Sequence, residues 1–326
     1  MEKKRILWIV VAAAILFTAA ALIHCHVLKG RIDPTAPLHK PVNSVYYWKT
    51  SYYADEAQLE FMRKNNVRRM YVRMFDVVQG TEQPEPNATI TFHSSLPDSM
   101  EIVPTIFITV DALRQAMNQH SVDKLAEKIV RRVNAMISWE EIKNCNELQL
   151  DCDWTASTRD AYYKLCKEVK KCMDKDWLLS STIRLHQLQQ APPPVDYGVL
   201  MVYNVGNFKN PNEENSILNS RTVEKFLTRR LRCDIPMDVA LPIYKWDLLF
   251  DNDYNFVRIC YKGEVPEKGF RVRHEEVPYA EIMKVKSLLR RHLHLTDGAH
   301  STILYHMDDS NIYGYIDEQF KDIFDN

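Results

Sequence analysis

Leu148-Gln149-Leu150-Asp151-Cys152-Asp153-Trp154 is an apolar run that ends in two acids. Side chains alternate along a strand, so Gln149, Asp151 and Asp153 share one face and Cys152 points to the other, into core packing. Short strands that are apolar on both faces suit a parallel sheet covered on each side. The acids then fall at the C-terminal end of their strand, where α/β barrels carry their working groups. Two carboxyls about 7 Å apart along one face repel when both are ionised, which raises one pKa. A protonated acid beside an ionised partner is what glycosidic-bond cleavage requires.

Outward from this run, strand-like and helix-like stretches alternate. Strands are predicted at 42–48, 67–74, 101–109, 147–153, 177–184, 197–203, 237–244 and 302–307. Helices are predicted near 55–65, 121–137, 158–173, 221–230, 279–293 and 316–324. Eight strands, most followed by a helix, give a (β/α)8 TIM barrel over residues 42–326. An insertion at about residues 247–277 should hold a hairpin of 256–261 and 270–274. The remaining strand ends bring Arg73 and Asp76, Arg184 and His186, Tyr203 and Asn204, Tyr244 and Trp246, and His306 and Asp308 to the same rim.

The first thirty residues read differently. Lys3, Lys4 and Arg5 precede an apolar run from Ile6 to Ile23. Eighteen helical residues span about 27 Å, close to the hydrocarbon thickness of a bilayer. The basic flank should stay cytoplasmic and place the rest outside a bacterial cytoplasmic membrane, in the periplasm or at the cell surface. An uncleaved anchor, a signal peptide cut near Ala19-Ala20-Ala21 and lipidation at Cys25 are three outcomes left open. Residues 31–41 form a Pro-containing linker to the barrel.

Composition excludes several classes. Formal net charge is −1 with both signs interspersed, and 46% of residues are hydrophobic. No basic block or zinc-finger spacing appears, so no nucleic-acid partner is expected. No glycine-rich loop follows any strand, so no nucleotide cofactor is expected. His186 and His306 with Asp151, Asp153 and Asp308 leave open a metal-dependent hydrolase. No His-x-His or His-x-x-x-Asp spacing accompanies them, so no metal ligand is assigned. The seven cysteines form no CxxC pair, and their pairing is not readable from spacing.

Asp151-Cys152-Asp153-Trp154 resembles the strand-four signature of the family 18 glycoside hydrolases, the chitinases and endo-β-N-acetylglucosaminidases. Their pattern runs Asp-x-Asp-x-Glu, with the Glu as general acid. Met201-Val202-Tyr203-Asn204 is similar to their strand-six Met-x-Tyr-Asp. Ala240-Leu241-Pro242-Ile243-Tyr244, with Trp246 beyond, is similar to their strand-seven Leu-Pro-x-Tyr. The three motifs fall in order over about 100 residues, each on a predicted strand.

The resemblance implies a TIM barrel and a carbohydrate ligand whose own acetamido group is the nucleophile, oriented by an Asp and by Tyr203. Two departures matter. In direct register Thr155 stands where the Glu belongs, which implies a silent glycan-binding or scaffolding barrel. Shifted by one strand repeat, Gln149, Asp151 and Asp153 fill the three places, with Asp153 as general acid and Asp151 in support. Asn204 replaces an Asp, and the strand-eight Trp is missing, leaving Tyr305 and His306. Tyr203, Asn204, Tyr244, Trp246, Arg184, Arg73 and His306 are the expected substrate-binding residues. The expected partners are a glycan and, through the N-terminal helix, a membrane.

Overall fold

The computed structural model describes residues 40–260, 269–293 and 300–325. The N-terminal segment, Cys25 and nearly all of the 31–41 linker lie outside the described residues. Among the described residues no helix is long and apolar enough to cross a membrane.

Eight parallel strands close on themselves. They are β1 (Asn43–Tyr47), β2 (Val67–Val78), β3 (Glu101–Ile108), β4 (Glu147–Asp151), β5 (Leu178–Arg184), β6 (Tyr197–Met201), β7 (Met237–Pro242) and β8 (Thr302–Tyr305). Each pairs with its sequence neighbours, and β1 pairs with both β8 and β2, which shuts the barrel. Closure leaves no free edge among them, and the helices cover the outer face. The helices of eight residues or more among the described residues are α1 (Glu56–Lys64), α2 (Val110–Asn118), α3 (Val122–Trp139), α4 (Arg159–Cys172), α5 (Ser220–Leu227), α6 (Tyr279–Leu293) and α7 (Asp317–Phe324).

Local chemistry explains the starts of these helices. Asp55 caps α1 by accepting the Gln58 N–H at 3.0 Å, and Thr109 caps α2 by accepting that of Ala112 at 3.2 Å. Along α3, Leu125, Ile129 and Val133 recur at helical spacing and are buried against the sheet.

Several expectations shift. Strand β2 runs on to Val78 because Glu85–Asn87 adds to it antiparallel. Helix α2 was not anticipated: its nine residues follow β3 without a break, so the Thr109 cap passed for the strand end. Only a 3-10 turn, Leu185–Gln189, links β5 to β6. The insertion is a three-stranded antiparallel sheet rather than a hairpin. Phe256–Cys260 and Arg271–Glu275 each pair with Trp246–Phe250, not with one another. The reason is the run Leu248-Leu249-Phe250, buried throughout, which makes Trp246–Phe250 the natural centre strand.

The barrel interior is a ladder of polar groups rather than a uniformly apolar core. Strand β4 supplies rungs at Glu147, Gln149 and Asp151, two residues apart and all buried. Glu147 accepts from Ser180 Oγ at 2.6 Å and Tyr197 Oη at 2.5 Å. Gln149 accepts from Tyr46 Oη at 2.6 Å and donates to Ser180 Oγ at 3.2 Å. Buried polar groups persist where their partners are supplied, and here the partners come from neighbouring strands.

Candidate functional site

The topmost rung is Asp151. It is 1% exposed, and its Oδ1 accepts the Thr182 hydroxyl at 2.6 Å and faces the Arg184 guanidinium at 3.5 Å. Burial pushes its carboxyl above the ordinary value; Asp153 adds to the rise, and Arg184 and the Thr182 hydrogen bond oppose it. Asp153 lies two residues beyond, past the strand, with its side chain 51% exposed and hydrogen-bonded to Arg184 Nε. One guanidinium thus clamps both acids, one buried and one open to solvent. Burial opposes the charge on Arg184, but the two aspartates outweigh it and hold its pKa well up.

Tyr203 and Asn204 follow β6. Asn204 has φ +53°, a left-handed conformation that Asn adopts more readily than most residues. From there its side-chain oxygen accepts the Tyr244 hydroxyl. The Tyr203 ring stacks on Tyr305 at a centroid distance of 4.3 Å, with the Arg184 guanidinium 5.8 Å away over the ring. Tyr244 stands edge-on to Tyr203, Tyr305 and Trp246, at 6.3, 5.7 and 5.5 Å. Trp48, at the end of β1, packs on Tyr305 at 5.7 Å. The mouth is therefore walled by a continuous set of aromatic rings.

A cavity of about 370 Å3 opens beside this wall, above β4, β5 and β6. Asp153, Arg184, His186, Tyr203 and Asn204 line it on the polar side, with Leu185, Met201, Val205 and Phe226 on the apolar side. Burial lowers the His186 pKa, with Asp153 acting the other way, so the imidazole favours its neutral form.

Four of the expected residues, Asp153, Arg184, Tyr203 and Asn204, thus share one cavity. Asp151 lies directly beneath. Tyr244 and Trp246 do not line the cavity but continue the aromatic wall, Trp246 as the first residue of the insertion sheet rather than the tail of β7. Arg73 is tied to Asp76 at 2.7 Å and lies over Trp48, away from the cavity. His306 packs against Tyr305 and Tyr244, and its Nδ1 is buried without a hydrogen-bond partner among the described residues. Thr155 is exposed at the entrance to α4, its N–H on Thr158 Oγ1 at 3.0 Å and its hydroxyl on Ser157 at 3.0 Å. Among the described residues no three His, Cys, Asp or Glu side chains are arranged to hold a metal ion.

Thr182, Trp48 and Phe226 are site residues that sequence reasoning missed, while Tyr305 entered it only as what remains in place of the strand-eight Trp, and His186 only on the rim. Thr182 was legible, because it shares the strand face of Arg184 two residues on. Phe226 carried no signal: it reaches the cavity from α5, well removed in sequence from the strand ends it meets.

With this geometry in place, known structures provide a comparison. A chitinase from Bacteroides thetaiotaomicron superposes with a TM-score of 0.56 at 10% identity, covering 88% of this chain and 97% of that one. The spore cortex-lytic enzyme SleL of Bacillus megaterium QM B1551 gives 0.53 at 13% identity, over 90% of this chain and 75% of that one. A class V chitinase from Nicotiana tobaccum in complex with NAG4 gives 0.53 at 10% identity, over 87% and 99%. No family model and no curated protein matches the chain. At these identities the likeness shows the fold alone: a (β/α)8 TIM barrel of the kind these three enzymes share.

Proposed function

We propose that the chain is a carbohydrate-binding barrel that takes a sugar residue at its mouth, against Asp153, Arg184, Tyr203 and Asn204. The observation that carries this reading is the cavity itself, in which charged and amide groups face apolar side chains beside a wall of tyrosines. Sugar rings present hydroxyls at their edges and C–H groups on their faces, and such a lining answers both. Neighbouring folds that are chitinases, one of them holding NAG4, support a glycan as the ligand class.

Hydrolysis with Asp153 as general acid and Asp151 in support is the second reading. It is favoured by the two unlike carboxyl environments, one buried and raised, one open. Binding without turnover is preferred because the Asp153 carboxyl is engaged by Arg184 Nε, Asp151 is sealed beneath the same guanidinium, and Thr155 turns to the helix entrance.

Purified protein titrated with chitooligosaccharides and N-glycans, followed by calorimetry and product analysis, decides between them. Binding with intact ligand in both wild type and Asp153→Asn supports the first reading. Cleavage that Asp153→Asn abolishes supports the second, and no binding by either protein removes the carbohydrate reading. We further propose that the barrel works outside a bacterial cytoplasmic membrane, held by its N-terminal segment. Support for this is the basic-flanked apolar run from Ile6 to Ile23. Protease digestion of intact spheroplasts tests it; a barrel protected until lysis refutes it.

A further inference from the structure

Glu275 is a carboxylate with almost no solvent and several donors. Its side chain is 0% exposed. Its Oε2 accepts the Ser216 N–H at 3.0 Å, the Ser216 hydroxyl at 2.6 Å and the Trp246 indole N–H at 2.8 Å. Its Oε1 faces Arg273 Nε at 2.8 Å. These partners come from two different places: the insertion sheet supplies the Trp246 donor and the Arg273 charge, and the loop after β6 supplies the Ser216 donors. Arg273 in turn donates to the carbonyls of Phe208, at 3.0 Å, and Asn210 in that same loop. The indole is gripped between Tyr244 on the mouth side, at 5.5 Å, and Phe208 on the other, at 5.9 Å.

Such a carboxylate is costly to bury, and every one of its donors orients something else. From this geometry we infer that Glu275 is a positioning residue: it fixes the Trp246 indole as the outer end of the aromatic wall and locks the insertion sheet to the loop carrying Phe208. The inference concerns ligand fit and rests on the proposal that a sugar lies along that wall. An indole held at its N–H is restrained about its side-chain torsions, so the part of this half-buried ring that reaches solvent keeps one orientation toward the mouth. Glutamine at 275 keeps one oxygen for the indole but turns an amide NH2 toward the Arg273 guanidinium, a donor against donors. The grip therefore fails at one end while side-chain volume is conserved.

The test uses full-length protein labelled with 5-fluorotryptophan, with the Trp246 resonance assigned by its loss in Trp246→Phe. In Glu275→Gln the Trp246 line should shift and broaden while the remaining tryptophan lines keep their positions, which also shows that the variant is folded. A Trp246 line unchanged in Glu275→Gln overturns the inference, whether or not any sugar binds. Chitotetraose affinity supplies the second arm, as a double-mutant cycle. Glu275→Gln should weaken binding roughly tenfold in the wild-type background, as expected for one lost buried polar contact. In the Trp246→Phe background it should add almost nothing. Equal losses in both backgrounds mean that Glu275 acts as general scaffolding, which overturns the positioning role. If wild-type protein binds no chitotetraose the sugar reading fails by itself, and the fluorine line still decides for or against Glu275.

Discussion

Replacing Arg184 by methionine removes the charge that Asp151 and Asp153 share while keeping most of the apolar stem. The two acids should respond very differently. Asp153 is half open to water, so its part of the loss is at most about 1 kcal/mol. Asp151 has a side chain 2% exposed and retains only the Thr182 hydroxyl. Stranding one member of a buried ion pair costs about 3–5 kcal/mol, and that figure should dominate. Arg184→Met/Asp151→Asn should therefore recover all but about 1 kcal/mol, since the stranded charge is gone. The pH dependence follows in sign. Without Arg184 nothing cationic opposes burial, so the folded carboxyl of Asp151 holds its proton more tightly than the unfolded one. The stability from that proton is fully present below the unfolded carboxylate value, about 3.9, and is lost as pH rises through the higher folded value. Urea unfolding of the four proteins, at neutral pH and near pH 4, measures these differences. A deficit of the same size in the Asp151→Asn background, or one that grows toward acid, refutes the shared-clamp account.

Asp151→Asn alone should flatten the dependence of stability on pH, because the wild-type carboxyl, raised by burial, loses its stabilising proton as pH rises through its folded value; an unchanged slope in urea unfolding tells against a raised carboxyl. Tyr197→Phe removes a donor lying 2.5 Å from Glu147 inside the barrel and should cost about 1.5–3 kcal/mol in the same assay, with no selective effect on ligand affinity. Tyr244→Phe should do the reverse. It frees the Asn204 side chain, costs about 1 kcal/mol of stability at most, and weakens saccharide binding several-fold by calorimetry.

The barrel was legible because its strands are short, apolar and evenly punctuated, and because closure leaves little choice in their order once eight are found. Asp153, Arg184, Tyr203 and Asn204 were legible for a related reason: a strand end in this fold has only one place to go. What could not be read is anything set by two elements meeting at an angle. The insertion looked like a hairpin because its outer strands alternate apolar and charged residues, Val257 against Arg258 and Val272 against Arg273. The strand between them in space comes earlier in sequence, and its buried run Leu248-Leu249-Phe250 has no alternation to announce it. The Arg184 clamp was equally hidden, since period two places an arginine at the mouth but does not say which acids it will reach.

That clamp bears on what the mouth can do. A general acid must hold its proton at working pH and present it to the leaving oxygen. Asp151 meets the first condition better, since burial raises it, but it lies under Arg184 and the Thr182 hydroxyl, sealed from the cavity. Asp153 meets the second, since it lines the cavity, but its carboxyl oxygen is taken up by Arg184 Nε. Neither carboxyl is at once presented to the cavity and free of Arg184. Arg184 itself is held from two sides, by its ion pairs and by the face of Tyr203, which in turn is braced by Tyr305 at 4.3 Å. Moving the guanidinium would therefore leave Asp151 unpaired in a buried site, the same several-kcal/mol cost that the methionine variant measures. On the reading proposed above, the mouth would hold a sugar against a fixed charge pattern rather than pass it a proton.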